Sequence, residues 1–334
     1  MRVLIIGGTR FVGYQLVWRL LAGGHQITLL NRGQQPDPFG ERVGRLIADR
    51  TTPDFERVLA DLTYDAAVDF AAYTGDDARR SVAKLAHGRV GHYLYISTGQ
   101  VYLVREGCPQ PSKESDYDGP VMPEPADPQD LNDWRYGIGK RDGEDMLESV
   151  WELARFPATR LRLPIVNGER DFSRRLESYL WRVLDGGPVL LPDGGANILR
   201  HVYSGSVVTA IAAMLGQPAT FGQAYNLAQD ETPTLAELVA LLADLLGAPT
   251  RTVSVKSAAL AANGLTPKAI SPLSGRWMSY LDPAKAKAEL GFQHEPLRSY
   301  LGKIVSSFLN HPPTSPPDNY ANRQAELALA ANLP

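Results

Sequence analysis

Cysteine is almost absent: Cys108 is alone in 334 residues, so no disulfide can form within the chain and a reducing compartment is expected. No histidine or second cysteine stands near it at metal-ligand spacing, and no metal site is expected. Long apolar runs are missing too. None approaches the roughly 20 residues that a membrane-spanning helix needs, and the opening MRVLIIGG is too short in apolar residues for a secretion signal. The expectation is a cytoplasmic protein with no membrane partner. Neither sign of charge dominates, since 34 Lys and Arg face 37 Asp and Glu for a net charge of −3. That balance gives no electrostatic footprint for nucleic acid. The remaining composition, 44% hydrophobic and 21% charged, is that of a soluble chain long enough for one or two domains.

What is present is alternation. RVLIIG (2–7), QITLLN (26–31), RLIAD (45–49), AAVDFAA (66–72) and HYLYIS (92–97) read as strands. Between them FVGYQLVWRLLAGG, PDFERVLADL and DDARRSVAKLA carry apolar residues at helical spacing. The strands lack a polar–apolar alternation, as parallel strands covered on both faces do. The fold expected is α/β, a Rossmann-type doubly wound parallel sheet. Residues 103–133 hold six prolines and many acids and read as a surface insertion or lid, with Glu114, Asp116 and Asp118 on a solvated face. A long helix is predicted over Trp134–Ala154, then the strand ATRLRLPIV. Further helices are predicted at 173–184, 206–215 and 234–246, and a strand at 223–227. The expected organisation is a dinucleotide-binding domain over 1–168, a smaller and partly interleaved substrate region over 169–310, and a tail over 311–334. The tail has a Pro-rich hinge and an Ala-rich helix, and reads as an appendage or contact arm.

The first strand runs into IIGGTRFVGYQL, where Gly7, Gly8 and Gly13, with Thr9, Arg10, Phe11 and Val12 among them, open a helix. A dinucleotide pyrophosphate needs backbone N–H groups unobstructed by Cβ atoms and the positive end of a helix. The second strand ends in Asn31 and Arg32 rather than in the acid that usually receives the ribose hydroxyls of NAD. A guanidinium there matches a 2′-phosphate in charge and planarity, and Arg10 can add a second cation. NADP(H) is the favoured cofactor, with NAD(H) the alternative. Asp49, after the next strand, can offer a carboxylate to the adenine amino group.

Tyr136 and Lys140 in RYGIGKRDGE form an i, i+4 pair on one helix face. A phenol of ordinary pKa is a poor base at neutral pH, and an ammonium one turn away favours its ionised form. Ligands of a doubly wound sheet sit beyond the carboxyl ends of its strands, where Thr98 closes the fifth strand. Thr98, Tyr136 and Lys140 therefore make a candidate catalytic set, with Ser97 assigned a structural role.

The motifs GGTRFVG, VDFAA, ISTGQVY, YGIGK, LRLPIVNG, NLAQDETPTLAELVALLADLLG and SYLDPAKAKAELGF run in order from residue 1 to about residue 310. In them the chain resembles an extended or atypical short-chain dehydrogenase/reductase of the NAD-dependent epimerase/dehydratase family. The resemblance implies that Thr98 is the active-site hydroxyl, Tyr136 the acid/base, and Lys140 the residue that binds the nicotinamide ribose and tunes the tyrosine. It also implies cofactor contacts at Ala71, Ala72, Pro164 and Ile165, and substrate contacts at Gln100, Asn167, Arg200 and Arg276. A small-molecule substrate such as a nucleotide sugar is expected, and a homodimer through the long helix.

The departures narrow that expectation. Sugar-nucleotide 4,6-dehydratases carry Asp-Glu after the active-site threonine, where this chain has Gly99 and Gln100, so that dehydration is not expected. The GGTRF loop resembles an atypical branch that includes chloroplast RNA-binding proteins, which tend to lose the Tyr/Lys pair kept here. Ser204 replaces an acid usual after the substrate strand, and the 103–133 insertion is long for a sugar epimerase. The alternatives are a non-sugar tailoring reductase and a redox-inactive nucleotide- or RNA-binding protein.

Overall fold

The computed structural model describes residues 1–333. The strands are β1 (Arg2–Ile6), β2 (Gln26–Asn31), β3 (Val43–Ile47), β4 (Ala66–Asp69), β5 (Tyr93–Thr98), β6 (Ala158–Leu163), β7 (Ile165–Asn167), β8 (Val189–Pro192), β9 (His201–Tyr203), β10 (Ala224–Asn226) and β11 (Thr252–Val255). The helices are α1 (Phe11–Ala22), α2 (Asp54–Val58), α3 (Gly75–Leu85), α4 (Gln100–Leu103), α5 (Pro128–Ala154), α6 (Arg175–Leu184), α7 (Ser204–Met214), α8 (Leu235–Leu246), α9 (Ser257–Ala262), α10 (Pro267–Ile270), α11 (Ala284–Leu290), α12 (Leu297–Asn310) and α13 (Arg323–Ala331). Two compact units divide the chain: unit 1 is Met1–Ile165, Ser204–Ala228 and Ser279–His294, and unit 2 is Val166–Tyr203, Gln229–Met278 and the chain from Glu295 onward.

Unit 1 is built on a seven-stranded sheet of order β10-β6-β5-β4-β1-β2-β3, parallel at every pairing. This is the doubly wound sheet that the strand–helix alternation predicts. All six residues of β5 and all six of β6 are buried, as in parallel strands covered on both faces, although β6 carries Arg160 and Arg162 among its apolar residues. The strand order reverses between β1 and β4, and the crevice beyond the strand ends there is where such a sheet takes a ligand.

Several boundaries differ from expectation for local reasons. Strand β4 ends at Asp69 rather than at Ala72, because the Asp69 carboxylate accepts the N–H groups of Ala71 and Ala72 at 2.9 and 3.0 Å and turns the chain out of the sheet. Helix α5 begins at Pro128, not Trp134: Asp127 accepts from Gln129 N and Asp130 N at 2.9 and 3.0 Å, with proline in the first turn. Only Asp54–Val58 of the second predicted helix is helical.

The 103–133 segment is largely exposed, as a surface insertion would be, but three of its residues, Val104, Ser112 and Tyr117, are buried. The Tyr117 ring is buried and its hydroxyl donates to the Arg141 carbonyl and the Asp145 carboxylate at 3.1 and 2.6 Å. Ser112 bridges to Leu281 in parallel. Glu114 is half-buried and accepts the Asn226 N–H at 2.7 Å, so it does not share a solvated face with Asp118. The tail likewise differs from an appendage. Within unit 2, Arg182 and Glu326 pair at 2.5 Å with both side chains 1% exposed. Arg323 pairs with Asp185 at 2.6 Å, and Leu329 and Ala330 complete a core with Leu190, Val253, Val255 and Leu260. No helix among the described residues is long and apolar enough to cross a membrane.

Candidate active site

The turn from β1 into α1 has the shape of a phosphate cradle. Gly7 and Gly8 take φ of +92° and +84°, which side chains other than glycine rarely adopt. A Cβ at Gly13 would lie 2.4 Å from Gly8 Cα, so the loop closes on the helix only with glycine there. No side chain caps the first turn of α1, and its amides meet an anion with the positive end of the helix. These features fit a dinucleotide pyrophosphate. Phe11 and Val12 are buried beneath the loop, Thr9 is half-buried and Arg10 exposed.

At the end of β2, Asn31 Oδ1 accepts the Gly33 N–H at 2.7 Å and shapes the turn that carries the exposed Arg32. Asp49 follows β3. Hydrogen bonds from the Thr51 N–H and hydroxyl hold its carboxyl below the usual range, with the Arg32 charge assisting. Arg32 and Asp49 therefore face a common region at this edge of the sheet.

Lys140 lies on α5 with almost no exposed surface. Its Nζ donates to the Ala72 carbonyl at 2.6 Å and to the Ile96 carbonyl at 2.7 Å, tying the helix to the ends of β4 and β5. Burial pushes this ammonium down to about 8, against the opposing charges of Asp69 and Glu144. Tyr136 precedes it by one turn and is 36% exposed. The ring of exposed Tyr73 lies 6.2 Å from that of Tyr136 and 5.0 Å from Lys140 Nζ. The approach of α5 requires small residues: a Cβ at Gly139 would lie 2.6 Å from the Tyr73 carbonyl, and one at Gly137 3.0 Å from the Gln100 carbonyl. Thr98 ends β5, and its Oγ1 accepts the Gln100 N–H at 3.3 Å and approaches the Leu163 carbonyl at 3.5 Å. Ser97 instead donates to Glu144 at 2.5 Å.

Gln100 is buried, with its amide 3.4 Å from Asp133. At Gly99 a Cβ would meet Ser279 Oγ at 2.1 Å, so an acid cannot replace this glycine without displacing the 279–281 segment. Pro164 is buried and Ile165 half-buried beyond β6. Trp134 donates its indole N–H to the Met122 carbonyl at 3.1 Å, packing the helix start against the 103–133 segment.

Asn167, Arg200 and Arg276 belong to unit 2. Asn167 is fully buried, Arg200 donates to the Met278 carbonyl at 2.8 Å, and the exposed Arg276 lies over the Trp277 ring at 5.3 Å. His201 is a core residue of that unit, bonded to the Tyr300 hydroxyl at 2.6 Å.

Two buried ionic groups escape a reading of motifs. Asp69 is fully buried with Arg50 Nη2 at 2.5 Å, and Glu144 is fully buried with Arg162 Nη2 at 2.6 Å. The signal available was an acid within the apolar strand AAVDFAA and an arginine within LRLPIV. Among the described residues no cluster of three or more His, Cys, Asp or Glu can hold a metal ion.

Comparison with known proteins gives a consistent family. A chloroplast stem-loop binding protein of 41 kDa (b form) of Arabidopsis thaliana is 24% identical over 74% of this chain, and the match spans 64% of that protein's own length, less than two thirds. The 2'-dehydrokanamycin reductase of Streptomyces kanamyceticus is 26% identical over 84% of this chain and 77% of its own. The UDP-glucose 4-epimerase of Thermotoga maritima, solved with UDP-glucose, shares the fold with a TM-score of 0.74 at 19% identity, covering 93% of this chain and 99% of that one. The model of the NAD dependent epimerase/dehydratase family matches residues 3–228, and the chain belongs to that family.

Proposed function

We propose that this protein is an NADP(H)-dependent oxidoreductase that interconverts a secondary alcohol and a ketone on a nucleotide sugar or related small molecule. The observation that carries the reading is Lys140: a buried ammonium, fixed by two carbonyls, one helical turn from the half-exposed phenol of Tyr136. Gly7, Gly8, Thr9, Arg10, Phe11, Val12 and Gly13 would hold the pyrophosphate, Asn31, Arg32 and Asp49 the adenosine end, and Ala71, Ala72, Pro164 and Ile165 the nicotinamide end. The cofactor when bound supplies or accepts a hydride at the substrate carbon. Tyr136 then gives or takes the hydroxyl proton, Thr98 shares the substrate oxygen, and Lys140 supports the ionised phenol. Asn167, Arg200 and Arg276 are the candidate substrate contacts.

Gly99 and Gln100 offer no acid for elimination, which supports redox chemistry without dehydration. The likeness to 2'-dehydrokanamycin reductase favours a second reading, a ketone reductase acting on a non-sugar-nucleotide scaffold. The likeness to a stem-loop binding protein makes RNA the competing ligand to test.

The test is identification by mass spectrometry of any nucleotide released from the purified protein, with titrations of NADPH, NADH and a stem-loop RNA. NADP(H) in the released fraction and tighter binding of NADPH are expected. Absence of binding to either dinucleotide, together with RNA binding that falls steeply with salt, would overturn the reading.

A further inference from the structure

Asp69 is a fully buried carboxylate with five hydrogen-bond donors around it. Its Oδ1 accepts from Ala71 N and Ala72 N at 2.9 and 3.0 Å. Its Oδ2 accepts from Arg50 Nη2 at 2.5 Å, the Tyr93 hydroxyl at 2.7 Å and the Ser81 hydroxyl at 3.1 Å. Burial alone would raise the Asp69 pKa, but the Arg50 charge and the surrounding donors outweigh it and hold the group ionised. Arg50 is itself fixed, donating to the Asp77 carbonyl and the Ser81 hydroxyl at 2.7 and 3.0 Å. An ionised carboxylate only accepts, so it can meet five donors where an amide would set an N–H against one side.

Asp69 holds the N–H of Ala72, and the carbonyl of that same residue, in the next peptide unit, receives Lys140; the N–H of that unit, from Tyr73, goes to Asp77 at 2.8 Å. Of three ammonium protons on Lys140, two go to the carbonyls of Ala72 and Ile96, and those directions fix the third. A shift of the Ala72 peptide therefore re-aims the remaining donor.

We propose that Asp69, clamped by Arg50, is a positioning residue for Lys140: it sets the Ala72 carbonyl through the backbone and supplies a buried negative charge facing the ammonium. The inference rests on the reading of Lys140 as the cofactor-binding lysine, and names how the fold keeps that lysine charged and aimed. The other groups facing Lys140 are Glu144 on its own helix, Asp77 and Arg50 by their charge, and the rings of Tyr73 and Tyr95 at 5.0 and 4.8 Å.

The test is NADPH affinity, followed by fluorescence from pH 6 to pH 10, for wild type, Lys140→Met, Asp69→Asn and Arg50→Met. Wild-type affinity is expected to weaken across pH 8, where Lys140 loses its proton. Asp69→Asn should move that midpoint to lower pH by about one unit, an about fivefold loss of affinity at pH 8. Arg50→Met removes the charge that holds buried Asp69 ionised, and the Asp69 charge acts on Lys140 more strongly than Arg50 does, so its midpoint should also move to lower pH. A folded Asp69→Asn protein with the wild-type midpoint overturns the proposal, and should that variant not fold, an unmoved midpoint in Arg50→Met does so. If Lys140→Met binds NADPH as wild type does at every pH, the reading of Lys140 itself falls.

Discussion

Arg162 and Glu144 form a paired contact with 2% and 0% side-chain exposure: Nη2 and Nε donate to one carboxylate oxygen at 2.6 and 2.9 Å. Ser97, the neighbour of Thr98, donates to the same carboxylate at 2.5 Å. Helix α5 thus grips β5 and β6 beside Thr98. Removing one partner leaves a charge buried without compensation. Glu144→Ala should cost about 3–5 kcal/mol of stability in denaturant unfolding, and an unchanged midpoint would contradict the burial of the pair.

Tyr136 is exposed while Lys140 is enclosed, so the proposed roles in proton transfer and cofactor binding can be tested apart. Tyr136→Phe should lower turnover about 10²–10⁴-fold in a dicarbonyl and sugar-nucleotide panel followed by NADPH oxidation. NADPH affinity should stay within about twofold of wild type. Retained turnover would remove the phenol from the mechanism.

The proposed preference for NADP(H) rests on Arg32, which follows β2. Arg32→Ala should weaken NADPH binding about tenfold, in line with one charge-assisted contact of about 1.5 kcal/mol, and leave NADH nearly unchanged. Equal losses for both cofactors would assign Arg32 a structural role in the turn and reopen NAD(H).

His92 gives a stability signature separate from function. Its Nδ1 accepts the Gly216 N–H at 3.1 Å, so Nε2 carries the proton and donates to Thr159 Oγ1 at 2.8 Å. Burial pushes its pKa down to about 4, whereas the unfolded imidazole titrates near 6.5. Between those values the unfolded chain binds more protons, so stability present above pH 6.5 is lost as pH falls toward 4, by up to roughly 3 kcal/mol. Thermal melts of His92→Gln should show a shallower fall over that window, and identical pH dependence would show that His92 does not drive it.

The sequence by itself determined the doubly wound parallel sheet, because that architecture writes local periodicities: apolar strands without alternation, amphipathic helices between them, and glycines where β1 turns into α1. Tyr136 and Lys140 were legible for the same reason, sharing one helix face. The tertiary structure alone decided what encloses them. Asp69 meets Arg50 across 19 positions and Glu144 meets Arg162 across 18, and no local pattern announces an ion pair whose halves lie on different elements. The 103–133 segment misleads at two residues in the same way, since Tyr117 and Glu114 find partners on α5 and β10 within an otherwise largely exposed stretch. Periodicity records which face of an element is buried; which polar groups are buried with it depends on neighbours that only the folded chain supplies.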